Sequence, residues 1–283
     1  MQRKILELLI RFVSRVNLNT SVALKRLRRH LYFMDFEERD DDIYLVTFLK
    51  SGTTWMQVIL YNLLTDGDMD FEHIYDVSPW PSNQALIGQS AEEINKLPSP
   101  RILKFHDPYK EFDENLKNKI IYVFRDGKDL AVSLYHHNKN YVDPDLTFEK
   151  NFEDHFADPE KNLNYFKYNS DWFENKNGFN ILYISYESLK KDFDNTIKRI
   201  AQFINIQLTD EIIERTKKHS SFEYMKANET KFGEIAPKIE LVFNEFIRKG
   251  EIGEGEKYLS EEMLKIYNEN FDKYLSKHIN NRI

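Results

Sequence analysis

The stretch Ile43-Tyr-Leu-Val-Thr-Phe-Leu-Lys-Ser-Gly-Thr-Thr-Trp-Met-Gln-Val-Ile-Leu-Tyr-Asn-Leu-Leu64 reads as a buried strand, a tight polar loop and a helix. Ile43 to Phe48 is an apolar, β-branched and aromatic run whose length suits a strand covered on both faces. From Thr53 onward Trp55, Val58, Ile59 and Leu63 recur at helical spacing, and the Ser and Thr hydroxyls before them can cap the helix start. Between the two lies Leu49-Lys50-Ser51-Gly52. Such a loop directs unpaired backbone N–H groups and the positive end of a helix dipole at one point, where Lys50 adds a full charge; the point is a candidate anion site. It is not a Walker A loop, which needs two glycines with the lysine directly after the second, whereas Lys50 precedes the only glycine here. An ordinary strand-to-helix turn with a solvated lysine has the same residues, and the loop alone does not choose.

Two further segments repeat the arrangement. Arg101-Ile-Leu-Lys-Phe-His-Asp-Pro108 reads as a strand cut off by Pro108, with Lys104 and His106 at its C-terminal end. Ligands of open parallel sheets gather at the carboxyl ends of the strands, so both residues can face the Lys50 loop. The plainer readings are a hydrogen-bonded strand-end histidine and a solvated lysine. In Lys119 to His137 a strand from Ile120 to Phe124 ends in Arg125, Asp126-Gly127 turns the chain, and a helix carries Leu130, Ala131 and Leu134 inward. Ser133 lies on that helix. An arginine at a strand end with a hydroxyl on the next helix makes a second anion seat, its fork suited to phosphate.

Composition narrows the classes. A chain of 283 residues, 41% hydrophobic, buries a large core and is read as one domain after a short N-terminal appendage. A net charge of -7 and a pI near 5.7 give no global attraction for nucleic acid. There is no cysteine, which excludes disulfides, thiolate metal sites and a Cys nucleophile. No apolar run reaches the roughly 18 to 20 residues of a membrane span, and no signal-peptide pattern opens the chain; it is read as soluble and cytoplasmic. Residues 1–31 carry eight Lys or Arg against one acid, Glu7, leaving the remaining chain strongly acidic. Ile5, Leu8, Leu9, Phe12, Val13 and Val16 make this a basic amphipathic helical segment. A helix packed on the acidic body is the favoured reading, contact with a membrane surface the other. Residues 66–100 are loop-rich, and Val77-Ser78-Pro79-Trp80-Pro81 excludes regular helix.

Two anion seats with Lys50, Lys104 and His106 between them make the chain resemble the cytosolic sulfotransferases, which use 3′-phosphoadenosine 5′-phosphosulfate (PAPS; product PAP). The resemblance implies a P-loop-kinase-like α/β fold: one domain, residues 32–283, with a central, mainly parallel sheet flanked by helices. It implies that Lys50, Ser51, Gly52, Thr53, Thr54 and Trp55 bind the 5′-phosphosulfate and that Arg125 and Ser133 bind the 3′-phosphate. Lys104-Phe105-His106 matches the strand end that supplies the base. Asn180 to Lys190 is similar to the family's Tyr-Glu strand and turn, which puts Tyr186 near the adenine; Ser220 and Phe222 match nucleotide contacts. Helices are read over Phe193 to Ile204, Asp210 to His219 and Ser260 to Leu275. Arg248-Lys249-Gly250 resembles a clamp on the 3′-phosphate carried by a mobile loop, Asn228 to Lys257, that orders when phosphate arrives. The chain departs from the pattern in four places. Leu49 replaces a Pro, Phe105 replaces a Thr, Gly255 stands where a Trp is usual, and the dimer motif is missing after Lys257.

The implied chemistry is sulfuryl transfer to a hydroxyl. His106 suits the base, since an ordinary imidazole is mostly neutral near neutral pH. Lys50 and Lys104 stabilise the leaving phosphate and the moving group, and no metal is required. A P-loop-type small-molecule kinase is the alternative, with Asp126 as its candidate for magnesium. A catalytically silent nucleotide-binding adaptor, docked through the N-terminal helix, is another. Phe71, Tyr75, Trp80, Phe105, Tyr109 and Tyr135 flank the chemistry. Walls from Phe71, Trp80, Phe105 and Tyr135 would favour a small apolar acceptor with one hydroxyl, such as a phenol, steroid or alcohol, over a polyanionic saccharide.

Overall fold

Ile43–Thr47 forms β1, and all five residues are buried. It pairs in parallel with β2, Ile102–Phe105, on one side and with β3, Lys119–Phe124, on the other. β4, Ile181–Ser185, pairs in parallel with β3, giving the order β2-β1-β3-β4. The computed structural model describes Ile5 and residues 33–83, 89–234 and 246–279, and within these every strand pairing is parallel. The basic N-terminal segment lies outside the described residues, apart from Ile5.

Alternation along the strands splits the core into two layers, as a sheet covered on both faces requires. Tyr44, Val46, Leu103, Phe105, Ile120 and Tyr122 belong to one cluster, Ile43, Leu45, Ile102, Ile121 and Val123 to the other. The second layer holds helix α1, Thr53–Leu64, which is buried almost all round. The hydroxyl cap expected for α1 is not there: Gly52 occupies the N-cap position and no side chain caps the helix. The first four N–H groups of a helix have no partner within it, so this end is left open toward whatever lies beyond it.

Helix α2, Gly127–Tyr141, follows β3, and its start is capped by the Asp126 carboxylate, which accepts from the Lys128 and Asp129 amides. The remaining principal helices are α3 Tyr165–Glu174, α4 Tyr186–Lys191, α5 Phe193–Ile204, α6 Asp210–His219, α7 Phe222–Ala227 and α8 Glu261–Tyr274. In α8 only Tyr267 is fully buried, while Met263, Phe271 and Tyr274 pack half-buried on the core. The chain leaves β1 through α1 toward β2, and leaves β3 through α2 toward β4, in opposite directions along the sheet. The crevice between these departures, at the carboxyl ends of β1 and β3, is where ligands of open α/β sheets bind.

Candidate active site

After β1 the backbone turns left-handed twice, at Lys50 with φ 62° and at Gly52 with φ 96°. Gly52 has a second reason to be glycine, because a Cβ there would lie 2.7 Å from the Tyr186 ring. Lys50 has no such freedom, and a left-handed non-glycine residue persists only where its surroundings hold it. Ser51 is buried, and its Oγ has no hydrogen-bond partner among the described residues. The Lys50 Nζ lies 4.5 Å from the centre of the Phe246 ring. Burial pulls this ammonium down to about 8, against the opposing field of the Glu234 carboxylate.

Lys104 and His106 reach the same place from β2. Lys104 donates to Tyr75 Oη at 2.8 Å and lies 4.2 Å from the Trp80 ring centre. It too is pulled down to about 8 by burial, Lys50 adding to the effect and Glu234 opposing it. His106 Nδ1 is 2.9 Å from the Thr47 carbonyl, which also accepts from Tyr168 Oη. A carbonyl only accepts, so Nδ1 carries the hydrogen and Nε2 keeps its lone pair. Trp80 meets the imidazole edge to face at 4.9 Å. Burial, reinforced by Lys104, pushes His106 down to about 3, far below the ordinary histidine value.

The other end of the site hangs on β3 and the loop after α7. Arg125 is buried under the Tyr186 ring, 4.4 Å away, and donates to the carbonyls of Lys50 and Glu251, while its Nε is left without a partner among the described residues. Trp55 packs edge to face on Tyr186 and donates its indole N–H to the Ser220 carbonyl at 2.8 Å. Gly250 is left-handed at φ 63°, and a Cβ there would touch the Phe222 ring at 3.0 Å. Arg248 and Lys249 both pair with Glu254, the latter at 2.6 Å.

These pieces enclose one cavity of about 790 Å³. It is lined by Lys50, Gly52, Thr53, Thr54, Trp55, Lys104, His106, Arg125, Ser133, Tyr186, Ser220, Phe222, Arg248, Lys249 and Gly250, so residues spread over some two hundred positions meet in one place. Ser51 sits in the same loop but is buried and does not line the cavity.

The expected acceptor walls need correcting. Trp80 lines the cavity, but Phe71, Phe105 and Tyr135 do not. Phe105 alternates with Lys104 and His106 along β2, so it points to the opposite face and packs on Tyr44 and Phe112. Phe71 is buried against Tyr61 and Phe232, and Tyr135 packs on Phe148. Tyr109 is likewise core, against Trp172 and Phe179. Tyr75 proves to be the residue that holds Lys104. The cavity instead takes Tyr141, Val142, Met225, Phe246 and Ile247, with His136, His137, Asn140 and Glu234 as polar groups that sequence reasoning did not single out. A signal for the first three polar residues exists, since they follow Ser133 at spacings of three, four and seven on one helix face. Nothing local marks Glu234.

The residues fit a nucleotide that is anionic at two points. Arg125 Nε is buried without a partner among the described residues, the N-terminus of α1 is uncapped, and Gly52 and Gly250 bring backbone against the rings of Tyr186 and Phe222. Asp126, the kinase candidate, is occupied as the cap of α2, and no cluster of His, Asp or Glu among the described residues is arranged to hold a metal. A family model described as a sulfotransferase domain matches residues 40–278. Amine sulfotransferase of Oryctolagus cuniculus is 34% identical over 252 residues, covering 84% of this chain and 81% of that protein. Sulfotransferase 1B1 of Mus musculus is 34% identical over 239 residues, 80% of each. Among solved structures, mouse sulfotransferase SULT7A1 complexed with PAP superposes with a TM-score of 0.68 at 27% identity, covering 87% of this chain and 88% of that one.

Proposed function

Because the chain belongs to the sulfotransferase family, we propose that it transfers a sulfuryl group from PAPS to a hydroxyl of a small, mostly apolar acceptor, with His106 as the general base. The observation that carries this reading is that Lys50, Lys104, His106, Arg125 and Ser133 line a single cavity. When bound, PAPS supplies the sulfuryl group. The chain's own residues do the rest. Arg125 and Ser133, with Arg248 and Lys249 on the loop above, hold the 3′-phosphate end by charge and fork geometry. Tyr186, Trp55 and Phe222 grip the base. Lys50 and the uncapped start of α1 hold the 5′ end.

His106 takes the hydroxyl proton on Nε2. The Thr47 carbonyl fixes the ring through Nδ1–H and favours the imidazolium that forms. Lys104 spends one N–H on Tyr75 and keeps two for the charge that builds on the transferring oxygens. Tyr141, Val142, Met225, Phe246 and Ile247 supply apolar surface for the acceptor body. Residues 32–283 act as the catalytic domain in this reading, in a cytoplasmic setting. No helix among the described residues is long and apolar enough to cross a membrane.

His106→Ala tests the base: turnover should fall on the order of 10² or more while PAP affinity measured by calorimetry barely changes. Full activity in the variant removes the assignment. A panel of phenols, sterols and heparan-type chains supplied with PAPS tests the acceptor, and product only from the polysaccharides would overturn this part.

A further inference from the structure

Resting on the reading just given, we infer that Glu234 and His137 form a seat for a protonated nitrogen, so that the acceptor is an amino-bearing phenol or alcohol. Glu234 lines the cavity from the segment after α7, and His137 lines it from α2. Their nearest atoms are 3.9 Å apart, too far for a hydrogen bond, so neither satisfies the other. His137 Nδ1 is buried without a partner among the described residues. Tyr141, one turn along α2, lies against the His137 ring at 5.0 Å and lines the same cavity.

The polarity of this corner is what identifies its ligand. Burial keeps the His137 imidazole neutral, with Lys50, Lys104 and His106 all opposing a proton there. A carboxylate accepts and never donates, and the neutral ring offers a lone pair. A tyrosine face attracts cations. The carboxylate and the aromatic ring therefore favour a positively charged N–H donor, and the imidazole lone pair can accept from it. Glu234 is otherwise out of place, for its field acts on Lys50 and Lys104, the two cations that must meet an anionic donor. Once those lysines are engaged by the donor, a half-buried carboxylate is left facing negative charge. An ammonium arriving on the acceptor relieves it. The acceptor hydroxyl remains the nucleophile, since a protonated nitrogen held by Glu234 has no lone pair to attack with.

The experiment compares tyramine with 4-propylphenol, which has nearly the same shape without the charge, using the full chain and PAPS. Wild-type kcat/KM should favour tyramine, and Glu234→Gln should lower the tyramine-to-propylphenol ratio by about tenfold or more, as expected when a charge-assisted hydrogen bond is lost. Calorimetry with PAP verifies that the variant is folded. A wild-type enzyme that sulfates propylphenol at least as well as tyramine, or a ratio untouched by Glu234→Gln, overturns the amine seat alone. An equal loss on both phenols makes Glu234 a structural residue and also overturns it. No product from either phenol, with PAP still bound, overturns the hydroxyl-transfer reading as well.

Discussion

Lys50 and Lys104 are the residues on which the site's electrostatics turn, because burial draws both ammonium groups from the ordinary lysine value of 10.5 to about 8. The sign of the linkage is fixed by that direction. Between about 8 and 10.5 the unfolded chain holds protons that the folded chain has released, so the cost of burying these charges is fully present below about 8 and relieved as pH rises. A bound polyanion favours the charged forms and raises both values again. Binding of PAP near pH 8 should therefore take up protons, and affinity should decline as pH rises further. Calorimetry in two buffers of different ionisation heat checks this; heats that do not depend on the buffer would mean the lysines are already fully protonated. His106 is pushed down to about 3 by burial and by Lys104, so it is neutral at physiological pH but a weak base until a bound anionic donor offsets the fields of Lys104 and Lys50. That displacement was not legible in the sequence, which shows a histidine at a strand end and nothing of what buries it. The parity of Phe105 was legible, since period-two alternation alone sends it away from the face shared by Lys104 and His106.

The loop after α7 behaves differently from its expected role as a segment held only by phosphate. Residues 235–245 lie outside the described residues, but from Phe246 to Lys257 the loop is tied down by the protein itself. The Asp129 carboxylate accepts from the amides of Gly253 and Gly255, both at 2.7 Å, and Arg125 holds the Glu251 carbonyl. This contact explains the Gly at 255, since a Cβ there would lie 2.3 Å from the Lys128 backbone carbon at the start of α2. Sequence reading registers the departure from tryptophan but cannot show the helix that demands it. Glu254 is the more consequential tether, because it pairs with both Arg248 and Lys249, the cations assigned to the 3′-phosphate. Its carboxyl is held down to about 2, chiefly by the hydrogen bond from Arg248. The nucleotide has to compete with it. Glu254→Gln should tighten PAP binding a few-fold, the range expected of a partly exposed ion pair, while Arg248→Ala should weaken it. Looser binding in Glu254→Gln would instead make the glutamate an organiser of the loop.

Across the whole molecule, chemistry and stability occupy opposite ends of the sheet. The carboxyl ends of β1, β2 and β3 deliver Lys50, His106 and Arg125. At the amino ends, Asp42 just before β1 and Arg101 just before β2 form a bidentate ion pair at 2.7 and 2.5 Å, with both side chains fully buried. Arg101 also donates to the Glu37 carbonyl and lies over the Phe36 ring. The first three strands and the residues at their carboxyl ends could be read from local patterns, because each strand and the turn after it lie in one stretch of chain, whereas the order β2-β1-β3-β4 could not. This pair could not, since its members lie fifty-nine residues apart and neither sits in a motif. Removing one partner of a buried pair leaves an uncompensated charge, which typically costs about 3–5 kcal/mol. Arg101→Ala should therefore lower the stability measured by urea unfolding by about that amount. PAP affinity of the protein that remains folded should stay at the wild-type value, because the pair is a full strand length from the cavity. A loss of affinity in conditions where the variant is fully folded would show that the two ends of the sheet are coupled, and the separation argued from the topology would fail.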